Sequence, residues 1–171
     1  MNKIIWPLLL CAVLCGCGGG ETGNAVQEQY STLETARLEA EVTSHTSTDS
    51  RTFTLLCSYD ADGDTVTTVT APGELAGLTA VVSGTDMTLS SEGLQLPAGA
   101  SLDICPANCL PYLLRALADG YVLEQSSEAL DNTPCLRLAL DTTAPGGGKV
   151  LCAVWLDAEG LFPRYAEFSR N

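Results

Sequence analysis

The residues of this chain with chemistry to offer are its eight cysteines and its single histidine, and their spacing decides what that chemistry is. His45 opens the polar run His45 to Ser50, read as a turn, so a Ser-His-Asp or Cys-His arrangement would have to be built around this one imidazole. It reads instead as a solvated turn residue. Cys105-Pro106-Ala107-Asn108-Cys109 holds three residues between its thiols, where the redox pair of thioredoxin-like proteins holds two. The pair is therefore read as a structural disulfide, worth about 2 kcal/mol for so short a loop, or as reduced thiols. Zinc lacks ligands there, since no histidine is near. Cys57, Cys135 and Cys152 fall in predicted strands and read as small buried apolar residues. Asp60-Ala61-Asp62-Gly63-Asp64 is similar to a calcium loop, but its glycine comes too early and Ala71 stands where a bidentate Glu is required. It reads as a turn. Gly146-Gly147-Gly148 has no following helix to make it a phosphate cradle and reads as a hairpin loop. The chain thus offers no catalytic residue, no metal site and no cofactor site, and its carboxylates show no spacing suited to paired acid–base work.

One cysteine stands apart. Leu14-Cys15-Gly16-Cys17 closes the apolar run Ile4 to Leu14, which Lys3 precedes. A basic residue followed by about 7 to 15 apolar ones is the pattern of a secretory signal. A membrane-spanning helix needs about 20 apolar residues, which this run does not reach. The ending resembles the bacterial lipobox, in which a cysteine after a small residue receives a diacylglycerol and becomes the first residue after cleavage. Residues 1–16 are accordingly read as a lipoprotein signal peptide, Cys17 as the lipidated residue, 17–23 as lipidated cysteine and flexible glycine-rich linker, and 24–171 as one domain. The anchor matters because each buried methylene contributes about 0.8 kcal/mol, so that two or more acyl chains hold a protein firmly on a membrane.

Charge argues the same way. The formal net charge is −13, and loss of Lys3 with the signal makes it −14. Such a surface is repelled by phosphate backbones and anionic headgroups, which excludes nucleic acid as a partner and a basic face as a means of membrane attachment.

The elements that must position any site are legible from periodicity. Asn24 and Gln27 form a capping-box pattern ahead of Val26, Tyr30 and Leu33, which predicts a short amphipathic helix. Alternation at two residues then predicts strands at Ala36 to Val42, Phe53 to Tyr59, Thr65 to Thr70, Leu78 to Ser83, Asp86 to Ser90 and Gly93 to Leu96. Leu110, Leu113, Leu114 and Leu117 make a single apolar stripe on a second helix, with Asn108 as N-cap and Gly120 beyond its end. Tyr121 to Glu128, Cys135 to Asp141, Lys149 to Asp157 and Leu161 to Ser169 follow as a four-strand meander. The expected fold is mainly β: a curved antiparallel sheet or incomplete, half-open barrel of about nine to eleven strands, with two helices on its concave side.

This order resembles the LolA and LolB lipoprotein carriers and their relatives, including the GerS-like clostridial lipoproteins. The segments that carry the resemblance are Tyr30 to Val42, Ala71-Pro72-Gly73-Glu74-Leu75-Ala76-Gly77, the Pro106 to Gly120 helix leading into Tyr121-Val122, and Val154-Trp155-Leu156-Asp157 turning into Phe162-Pro163-Arg164-Tyr165-Ala166-Glu167. What the resemblance implies is a half-barrel with helices as a lid over an apolar cavity that takes acyl chains in the carriers. Phe53, Leu110, Leu113, Leu114, Leu117 and Trp155 are the residues expected either to line that cavity or to pack it shut.

The function expected from these readings is that of a non-enzymatic, lipid-anchored lipoprotein on the extracytoplasmic face of a plasma or outer membrane. Its partner is either a hydrophobic ligand, a lipid or acyl chain, in the cavity, or another protein, as the GerS-like resemblance implies. Cys17→Ser is expected to abolish incorporation of a clickable fatty acid in growing cells, as read by in-gel fluorescence. Label kept by the serine variant would remove the anchor from the reading.

Overall fold

The computed structural model describes residues 19–100 and 103–170; residues 1–16 and Cys17, where the signal and lipidation are read, lie outside them. The first helix, α1, spans Gly19–Ser31. Six strands follow: β1 (Thr35–His45), β2 (Ser50–Asp60), β3 (Thr65–Ala71), β4 (Thr79–Ser83), β5 (Asp86–Ser91) and β6 (Leu94–Ala100). After helix α2 (Cys109–Asp119) come β7 (Tyr121–Leu130), β8 (Thr133–Thr143), β9 (Lys149–Asp157) and β10 (Pro163–Arg170). The strands form two antiparallel meanders, β1-β2-β3-β4-β5-β6 and β10-β9-β8-β7. Among the described residues no hydrogen-bonded pair joins the two sheets, so the barrel is open. The expected class is the observed one: mainly β, antiparallel, with two helices packed on the inner faces.

β1, β4 and β9 show most clearly the two-residue period that a half-buried sheet requires. In β9, Val150, Cys152, Val154 and Leu156 are buried while the residues between them are only half-buried. Leu136, Leu138 and Leu140 of β8 stand beside them in register and complete one inner face. Across the larger sheet one inner row runs Leu38, Cys57, Thr67, Ala80, Leu89, Leu96, from β1 to β6. Cys57, Thr67 and Ala80 in this row are buried, Leu89 is half-buried, and Leu96 is 65% exposed. The larger sheet therefore reaches past whatever covers its middle.

The first helix differs from its expected start. It runs from Gly19, so Asn24 sits inside it and is not an N-cap, and the glycine-rich segment is helical from Gly19 onward. The cause is tertiary. Gly23 lies against β7, where an added Cβ would come within 3.1 Å of the Gln125 Oε1, so the missing side chain permits a close approach. Val26 and Tyr30 face the core as the spacing predicts. Tyr30 donates its hydroxyl to the Leu161 carbonyl at 2.9 Å and Gln27 reaches the Gly120 carbonyl at 2.6 Å, which ties α1 to two distant turns.

The turn between β9 and β10 explains the aspartate in the Trp-Leu-Asp segment. Asp157 Oδ1 accepts the Glu159 and Gly160 N–H groups at 3.0 and 2.8 Å, and Oδ2 lies 3.3 Å from Arg164. These backbone bonds, and then the guanidinium, hold its carboxyl below the usual carboxylate range.

Burial separates two leucines of similar chemistry. Leu117 is 0% exposed within the larger cluster, so Leu117→Ala is expected to cost about 2 to 5 kcal/mol, whereas Leu96→Ala, at an exposed site, should stay within about 0.5 kcal/mol of the parent. Urea denaturation of the chain expressed from residue 18 checks both.

Candidate functional site

The site with the richest expectations is the inner face beneath α2. The helix starts where Asn108 folds back on the preceding loop: its Oδ1 accepts the Cys105 N–H at 2.8 Å and its Nδ2 donates to the Asp103 carbonyl at 2.9 Å. Its side chain does not cap the helix; its carbonyl accepts the Tyr112 N–H at 3.0 Å. Pro111 sits in the first turn, where a missing N–H costs nothing. At the other end the Gly120 N–H closes on the Ala116 carbonyl, and a Cβ there would press on that carbonyl and on Leu140.

The four leucines of the stripe are all buried, and they divide between the sheets. Leu110 packs with Leu55, Cys57 and Cys109 against the larger sheet, with Phe53, Val69 and Ile104 at the margin. Leu113, Leu114 and Leu117 pack with Leu136, Leu138, Leu140, Cys152, Val154 and Leu156 against the smaller one. A leucine lining a space wide enough for an acyl chain would keep accessible surface toward it. These keep 6% or less. Two hollows on the described surface hold about 30 Å³, beside Val82, Pro111 and Tyr112, and about 200 Å³, beside Leu130 and Arg164. Ligand pockets usually hold about 300 to 1,000 Å³. Beneath the leucine stripe the inner face is packed against its own helix.

Trp155 is placed elsewhere. It stands on the outer face of the smaller sheet, opposite in phase to Val154 and Leu156. Its indole donates to the Glu128 carboxylate at 2.9 Å, the Arg137 guanidinium lies 5.3 Å from its ring, and the Tyr165 ring lies 5.4 Å away. The indole bond, ahead of the Ser126 hydroxyl and Arg137, holds the Glu128 carboxyl below its usual range. Sequence reasoning missed this cluster because its members come from β7, β8, β9 and β10 and meet only through register, Arg137 opposite Trp155 and Trp155 opposite Tyr165.

The five described cysteines are free thiols, which is the second of the two readings of the Cys105 and Cys109 pair. Cys109 turns into the cluster with Leu55, Cys57 and Leu110, while Cys105 stays half-buried in the loop. Burial, with the neighbouring Cys105 and Cys57 sulfurs adding to it, pushes the Cys109 thiol up to about 12. Burial alone does the same for Cys152, and it raises Cys57. Buried thiols of this kind are poor nucleophiles. His45 lies 3.0 Å from the Ser50 hydroxyl through Nδ1, on the exposed end of the β1–β2 hairpin. Among the described residues no three His, Cys, Asp or Glu side chains stand close enough to hold a metal ion, and no helix is long and apolar enough to cross a membrane.

No protein-family model matches the chain, and no curated protein matches it. Solved structures do. A DUF1329 family protein from Desulfovibrio piger has 15% identity over 90% of this chain and 74% of its own, with a TM-score of 0.54. A LolA superfamily protein from Nitrosomonas europaea has 16% identity over 86% and 71%, with a TM-score of 0.47. A chain from the complex of the CwlD amidase with the GerS lipoprotein of Clostridioides difficile has 16% identity over 100% and 96%, with a TM-score of 0.34. The Desulfovibrio protein shares the fold of this chain, at an identity that speaks to fold alone.

The thiols supply a test of the packing. A thiol that stays protonated in the fold to higher pH than in the unfolded chain stabilises the fold fully below about 9; that stability falls as pH rises toward 12, because the native state then holds more protons. Thermal melts of the chain from residue 18 are expected to drop above pH 9, less steeply in Cys152→Ala. Maleimide at neutral pH should add once, at Cys105, to the native protein and five times after unfolding, as counted by intact mass.

Proposed function

We propose that the chain is a lipid-anchored, non-enzymatic lipoprotein of the cell envelope whose LolA-like half-barrel holds a protein partner at the membrane surface. The lipobox-like Cys17 supports the anchor and an extracytoplasmic address. The order of helix, six-strand meander, helix and four-strand meander supports the LolA-like reading. The observation that carries the choice of partner is the burial of Leu110, Leu113, Leu114 and Leu117, which supports an interior packed by its own helix in preference to an acyl chain. A half-barrel with a filled interior works through its exterior.

A second reading, a hydrophobic ligand taken up beneath a displaced α2, draws on one observation. The helix is held over an apolar trough largely by packing, and the side-chain bonds that tie it to other elements include, among the described residues, Tyr112 Oη to Thr142 at 3.2 Å and Gln27 to the Gly120 carbonyl. Lifting it would bare about 1.5 to 3 kcal/mol of burial for each leucine, a cost a bound acyl chain would have to offset.

Native mass spectrometry separates the two. The chain from residue 18, purified without detergent, is expected to fly free of lipid and to ignore a fluorescent fatty acid, while the full chain cross-links in its own envelope to one stoichiometric protein. A stoichiometric non-covalent lipid, displaced by the probe and lost in Leu113→Asp, would overturn the protein-partner reading in favour of the ligand.

A further inference from the structure

The far end of the larger sheet is a surface no reading above accounts for. All seven residues of β6 are exposed, with Leu94 at 79% and Leu96 at 65%. Both lie on the inner side of the sheet, in phase with Met87 and Leu89 of β5, which are half-buried. Ala80 and Val82 of β4 on the same side are covered, so an apolar strip begins where the α2 end of the molecule stops covering it. Large exposed side chains that adjoin in this way mark interaction surfaces more often than scattered ones do.

The strand is also an edge. Among the described residues β6 pairs with β5 and with nothing on its other side. Edges are commonly guarded by charged side chains, and Leu94 to Ala100 carries none. Pro97 is the guard that is present. It removes one donor midway, so the stretch open to a further strand centres on Leu94 to Leu96.

Charge narrows the occupant. From Thr52 to Leu114 the chain carries seven acidic residues and no Lys, Arg or His, and Asp86 and Glu92 flank the hairpin. A second copy would bring the same acidic hairpin to the contact, with Arg115 beside β4, at the hollow it shares with Val82, Gly84 and Thr85, and not on β6; an anionic lipid surface would be repelled. A segment with Lys or Arg at its ends and apolar residues at alternate positions would meet complementary chemistry: backbone to backbone along Leu94 to Leu96, apolar side chains on Leu94 and Leu96, cations toward Asp86 and Glu92.

We propose that the free edge of β6 receives an extended, basic-ended, apolar segment of a partner protein as a seventh strand of the sheet. This rests on the protein-partner reading and names its surface.

The test uses the full chain in phosphatidylcholine nanodiscs and a fluorescent peptide of about nine residues that alternates leucine or valine with threonine between Lys-Arg ends. The peptide is expected to bind, and to bind at least about tenfold more weakly to the Leu94→Ser, Leu96→Ser double variant, whose exposed substitutions leave the circular dichroism unchanged. Glutamate in place of its basic ends should weaken it about tenfold or more, added salt should weaken it further, and N-methylation of the backbone N–H groups along one edge should abolish binding. Equal binding of the basic and acidic peptides, indifference to the double variant, or tolerance of N-methylation would overturn the proposal. So would self-association, or partition into phosphatidylcholine vesicles, that the double variant removes. An envelope cross-link that survives in the double variant refutes this surface and leaves the protein-partner reading standing, whereas a stoichiometric acyl ligand refutes that reading itself.

Discussion

The burial of one leucine face holds this molecule together. The two sheets share no hydrogen-bonded strand pair among the described residues, so nothing in the backbone ladder fixes one to the other. The second helix does: Leu110 is committed to the larger sheet, and Leu113, Leu114 and Leu117 to the smaller. Four leucines at about 1.5 to 3 kcal/mol each are comparable with the whole net stability of an ordinary domain. Leu38, Ile104 and Phe168 touch both clusters and seal the same seam, with Phe168 edge-on to Tyr112 at 5.5 Å.

That use of the helix governs what is left for function. A half-barrel can keep its inner face open for an apolar guest or fill it with its own helix, and the same leucines cannot do both at once. Here they are buried to 6% exposure or less, and the large apolar side chains left exposed include strand positions such as Leu94, Leu96, Tyr121 and Leu123. The cysteines follow the same logic. Cys57, Cys109 and Cys152 are buried in the clusters that the helix completes, and burial holds their thiols protonated and inert.

The outer face of the smaller sheet shows how a chain this acidic orders the few cations it has. Arg137 lies beside Glu124 at 3.2 Å and Glu128 at 3.8 Å, and over the Trp155 ring; Lys149 and Arg164 meet Asp141 and Asp157 at 3.4 and 3.3 Å. Exposed pairs of this kind contribute little individually to stability. Their effect is on distribution: four of the seven basic residues after Lys3, namely Arg137, Lys149, Arg164 and Arg170, lie on β8, β9 and β10, and β3 to β6 carry none.

Local physics made most of the architecture legible in the sequence. Two-residue alternation and the turn residues that bound each run placed the ten strands, and the i, i+3, i+4, i+7 leucines placed α2, because both signals are properties of neighbouring residues. What sequence could not determine was where each apolar side points and what covers it. In β9 both phases are apolar, Cys152, Val154 and Leu156 on one side and Leu151, Ala153 and Trp155 on the other, so only pairing with β8 and β10 put Trp155 outside. Gly19 to Gly23 read as linker until docking against β7 made a close-approaching helix of it. Cys105 and Cys109 stand close enough in the chain to bond, yet the pull of the Leu55 cluster turned one thiol inward. The exposure of β6 is of the same kind: Leu94 and Leu96 lie on the inner side of the sheet, but whether a helix reaches far enough to cover them depends on contacts between residues distant in the chain.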